Sequence, residues 1–100
     1  MPGVLDILTI LHFREMREAA REVLPEEEYA SAVEKVVRLC DELHRLEGGT
    51  RFETAKRAVA LVAQRTSPDS AETVVTAAGA LDWLERSDSP PTSESGVSNG

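Results

Sequence analysis

The sequence predicts an all-α fold: a compact, four-helix, bundle-like domain followed by a disordered tail. Three observations predict it. Apolar residues recur at helical spacing through most of residues 1–86, and Pro, Gly-Gly and Ser-Pro punctuation divides them into four segments. From Ser87 onward the chain carries a single aliphatic residue, Val97. A stretch of that composition cannot bury enough surface to offset its ordering entropy, so residues 87–100 are expected to be a disordered Ser/Pro/Gly-rich tail.

The first helix is expected over residues 4–24, and its pattern changes side partway along. Val4, Ile7, Leu8, Ile10 and Leu11 share one face, while Phe13, Met16, Ala19, Ala20, Val23 and Leu24 form a second stripe rotated by roughly 150° at 100° per residue. A straight helix cannot press both stripes against one core. Either the segment breaks near His12, giving five helices, or its first turns face something other than the body of the chain.

Pro25 suits the first position of helix two, where its missing N–H costs nothing, and Glu26, Glu27 and Glu28 suit the positive end of the helix dipole. Tyr29, Val33, Val36, Val37, Cys40 and Leu43 then line one side for about five turns, and Gly48-Gly49 stops the helix. Thr50 and Glu53 have capping-box spacing at the start of helix three. Its inward set is Phe52, Ala55, Ala58, Val59 and Val62, and it stops near Arg65, before Ser67-Pro68. Helix four is expected to be capped by Asp69 and to present Ala71, Val74, Val75, Ala78 and Leu81, with Gly79 allowing another helix to approach closely. Trp83 falls off that stripe, near Thr76 and Ala80, on what reads as an outer face where it could anchor a partner.

Composition narrows the function. The net charge of −7 argues against binding a phosphate backbone, so no direct nucleic-acid contact is expected. The lone Cys40 permits no intrachain disulfide and, on an apolar stripe, reads as a buried thiol. Met1-Pro2-Gly3 with Asp6 close behind does not resemble a signal peptide, and no run is long enough to span a membrane; a cytoplasmic protein is expected. Asp41 and His44 have the i, i+3 spacing of bundle metal ligands, but the inward positions around them are apolar, so no metal site and no cofactor are expected. Arg51, Lys56, Arg57 and Arg65 make one locally basic stretch, read as a solvated face with local ion pairs. It lacks the Lys-Ser/Thr of a phosphate-binding loop.

No catalytic constellation emerges, and no small-molecule substrate is implied. The leading expectation is a non-enzymatic interaction module, an adaptor or small accessory subunit. It would dimerise or dock a protein partner through Val4, Ile7, Leu8 and Leu11, with Trp83 as a secondary contact. The alternatives are an acidic regulator of a basic nucleic-acid-binding protein and a metal-binding helical bundle.

Overall fold

A computed structural model describes residues 3–87. The tail expected beyond them lies outside the described residues. Four helices follow one another: α1 (Val4–Val23), α2 (Glu26–Glu47), α3 (Arg51–Arg65) and α4 (Ala71–Ser87).

α4 is the central rod. It packs against α1, α2 and α3, whereas α1 and α2 meet only lightly. Six consecutive residues, from Thr76 to Leu81, are buried. Since 3.6 residues complete a turn, that run is covered on every side. Ala77, Ala78, Gly79 and Ala80 make this possible, because short side chains let three helices approach one axis. At Gly79 the approach is limiting: a Cβ there would stand 2.4 Å from the Cβ of Val36. Val36 comes from α2, along with Val33, Val37 and Cys40; Phe13 comes from α1, and Ala55 and Ala58 from α3.

The helix ends follow local chemistry. Thr50 and Glu53 form the full capping box: the Glu53 amide donates to Thr50 Oγ1 at 3.0 Å, and the Thr50 amide donates to Glu53 Oε1 at 3.2 Å. Gly48 and Gly49 carry φ of 72° and 82°, a region that side chains disfavour. Two expected starts move by one residue. Pro25 is the N-cap of α2 and not its first helical residue. Ser70, not Asp69, caps α4: Ser70 Oγ accepts from the Thr73 amide at 3.1 Å, and the Ser70 carbonyl accepts from Val74 at 3.0 Å. Thr73 reaches back to the Ser67 carbonyl at 2.6 Å, so the α3–α4 turn places Ser70, not Asp69, at the helix mouth.

α1 does not break near His12, so the five-helix alternative falls. Its second stripe faces α4 through Phe13, Ala20 and half-buried Met16, and the salt bridge from Arg17 to Glu85 at 2.9 Å ties the two helices together. Toward its start the body-facing side is Asp6, Thr9 and Ile10, all half-buried, with Asp6 Oδ1 3.9 Å from Lys56 Nζ on α3. The helix stays continuous because Asp6, Thr9 and Ile10 take the inward positions and the rest of the first stripe is left outside.

The contact at Gly79 sets a stability test. Gly79→Ala gains up to about 1 kcal/mol of helix propensity, but the added methyl forces α2 outward, and overpacking of this kind costs about 1–3 kcal/mol. Urea denaturation should show a net loss. Combining it with Val36→Ala should recover part of that loss, and strict additivity of the two losses would refute the contact.

Candidate functional site

With its second stripe held against α4, α1 turns its first stripe to solvent. Val4, Ile7, Leu8 and Leu11 are 73%, 51%, 54% and 47% exposed. They stand at i, i+3, i+4 and i+7, so they form one continuous ridge over two turns. Ile10, grouped with them in the sequence, is half-buried and packs against the core instead. At 100° per residue it lies well to the side of the other four.

Trp83 corrects the sequence reading. It is 2% exposed and offers no surface to a partner. A helix with one covered face would leave it outside, but residues of α2 and α3 cover this side of the central helix as well. Thr76 and Ala80, the neighbours that suggested exposure, are buried as well. Trp83 Nε1 donates to Asp41 Oδ1 at 2.8 Å, the Arg51 guanidinium lies 4.2 Å from the centroid of the ring, and His44 meets it edge-on at 5.7 Å. His44 Nδ1 in turn shares a hydrogen bond of 3.1 Å with Thr54 Oγ1. Asp41 and His44, spaced like metal ligands, are thus engaged in joining α2 to α3 and α4. Among the described residues no three His, Cys, Asp or Glu side chains converge on a metal-sized site.

Cys40 is fully buried, and removal from water pushes its thiol up to about 11, with the neighbouring Asp41 carboxylate adding to the effect. The thiolate that nucleophilic chemistry needs is therefore suppressed. The basic stretch of α3 is largely engaged: Arg51 lies over Trp83, Lys56 pairs with Asp6 and sits 4.7 Å from the Phe52 ring, and Arg57 pairs with Glu47 at 3.0 Å.

Two grooves lie elsewhere on the described surface. One, of about 610 Å³, lies where Leu24, Tyr29 and Val33 meet Arg86. Its charged rim is internally paired, since Arg86 binds Glu34 at 2.5 Å and Asp82 at 3.0 Å. The hydrogen bond from Arg86 holds the Glu34 carboxyl below the usual carboxylate range. The other, of about 350 Å³, is bordered by Ala20, Val23, Leu24, Val74 and Val75. No described helix is long and apolar enough to cross a membrane. The chain matches no protein family, and comparison with curated proteins and with solved structures finds no match.

Two measurements test this placement. Asp41→Ala removes the hydrogen bond that Trp83 Nε1 donates and should cost about 1 kcal/mol, against less than about 0.5 kcal/mol for Arg45→Ala on the exposed side of the same helix. Equal effects would remove Asp41 from the Trp83 network. The Cys40 thiol should resist a maleimide or disulfide reagent at pH 8 in the folded protein and react fully in urea; rapid labelling of the native state would contradict its burial.

Proposed function

We propose that the chain is a non-enzymatic protein-interaction module that docks a helical segment of another protein on the outer face of α1. One observation carries the reading. The ridge of Val4, Ile7, Leu8 and Leu11 is left exposed although α1 is continuous and seated on α4 by its opposite side. Most of Val4 and about half of each of Ile7, Leu8 and Leu11 is left out of the domain's own packing. Their spacing matches the anchors by which amphipathic helices recognise each other.

The size of the ridge favours a different protein over a second copy. The four side chains expose on the order of 400 Å² of apolar surface, the size of the largest patch on an ordinary monomer, which is often functional. Two copies meeting ridge to ridge would bury about 800 Å² in total, below the ~1,200 Å² at which stable, specific interfaces begin. A longer helix from a partner, running on past Leu11, escapes that ceiling. Trp83, being buried, is no part of the contact. A cytoplasmic setting belongs to the same reading and is supported by the single, unpaired cysteine.

Leu8→Ser with Leu11→Ser should leave the stability within about 0.5 kcal/mol of wild type, as surface substitutions do. Sedimentation of the unmodified protein at micromolar concentration should give a monomer. A photo-reactive side chain placed at Leu8 should cross-link one product of defined mass in the native cell, lost on Leu11→Ser and absent when the probe is moved to Glu28 on α2. A product with the mass of two copies would assign the ridge to self-association, and no position-specific product would overturn the docking reading.

A further inference from the structure

The line of the ridge does not end at Leu11. At 100° per residue it continues through Glu15, Glu18 and Glu22, all exposed on the same side of α1. Glu18 lies 3.7 Å from Arg21, whereas Glu15 and Glu22 make no ion pair within 4.0 Å among the described residues. The outer face therefore has two parts in sequence: four aliphatic side chains over the first two turns, then three carboxylates over the next two. From Val4 to Glu22 it spans about 27 Å at 1.5 Å per residue.

We propose that the segment docked on this face is a basic amphipathic helix of about five turns, with aliphatic anchors against Val4, Ile7, Leu8 and Leu11 and Lys or Arg side chains against Glu15, Glu18 and Glu22. The proposal rests on the docking reading above and adds the chemistry of the partner. Charge complementarity selects it. A second copy of α1 aligned in parallel sets the three glutamates against themselves. An antiparallel copy overlapping along the full face sets them against leucine. The one self-pairing that avoids both faults overlaps only the aliphatic turns and buries the insufficient area given above. The net charge of −7 adds a long-range repulsion between copies and an attraction for a cationic segment. The two parts of the face then divide the work: aliphatic burial supplies a salt-insensitive share of the affinity, and the carboxylates supply register and a salt-sensitive share.

The test is a selection from displayed helical peptides of about five turns, in which four outward positions at i, i+3, i+4 and i+7 carry aliphatic residues and the three positions continuing that line are free to be Lys, Gln or Glu. Peptides recovered on the unmodified protein should carry Lys at those three positions. Three exposed charge pairs should give the all-Lys peptide about tenfold tighter binding than its all-Glu counterpart, and most of that preference should vanish between about 0.05 and about 0.5 M salt. Glu15→Lys with Glu22→Lys should invert the preference while the far-ultraviolet circular dichroism and the urea midpoint stay those of the wild type. Binders that need Leu8 and Leu11 but show no charge preference would sink the basic partner and leave the docking face standing. A selection yielding no binder sensitive to Leu8→Ser and Leu11→Ser would sink both.

Discussion

Gly79 has no Cβ, and Val36 of α2 occupies the space that one would fill. This close approach sets the geometry of the whole domain. It brings α2 against the axis of α4 and gives Val33, Val37 and Cys40 a surface to bury on. Ala77, Ala78 and Ala80 extend the same thin waist around the rest of the helix, so α1 and α3 close in from other directions. A chain with only 4% aromatic residues can build a dense core in this arrangement because the close approach to α4 is set by methyl groups.

The cost of a thin central rod is that the outer helices each have one inward face and nothing beyond it. For α2 and α3 the outward faces are mainly charged, and pairs such as Arg57–Glu47 and Arg86–Glu34 lace the helices together at the surface. Exposed ion pairs of this kind add little to stability. α2 and α3 also expose single leucines at Leu39, Leu46 and Leu61; α1 differs in degree, because its outward face begins with four aliphatic residues in one line and turns acidic only at Glu15. Among the described residues, the run of four exposed aliphatics lies at the end of α1 whose inward side is Asp6, Thr9 and Ile10.

Much of this was legible before any coordinates. The apolar side of α2 was readable because a broad stripe sustained for five turns has one interpretation. The Thr50–Glu53 box and the Gly48-Gly49 stop depend only on neighbours in the chain, and both form as expected. The start of α4 was misread by one residue because the choice between Asp69 and Ser70 is made by Thr73 and the Ser67 carbonyl, which meet only once the turn closes. Glu15, Glu18 and Glu22 were overlooked as part of the outer face, although the arithmetic that grouped Val4 with Leu11 reaches them without change.

By itself, the order of residues determined the four helices, their limits to within a residue or so, the side-switch in α1 and the close approach permitted at Gly79. These follow from the 3.6-residue period and from capping, both of which act over a few residues. Only the tertiary structure decided that α4 is the centre, and with it the fate of Trp83 and of the first ridge. A helical stripe tells which residues of a rod are alike, not how many neighbours the rod will have. Trp83 lies off the stripe of α4 and is buried because α2 and α3 cover that side as well. Leu8 and Leu11 lie on a stripe and stay in water because α1 has a single neighbour of substance, which its other face already holds.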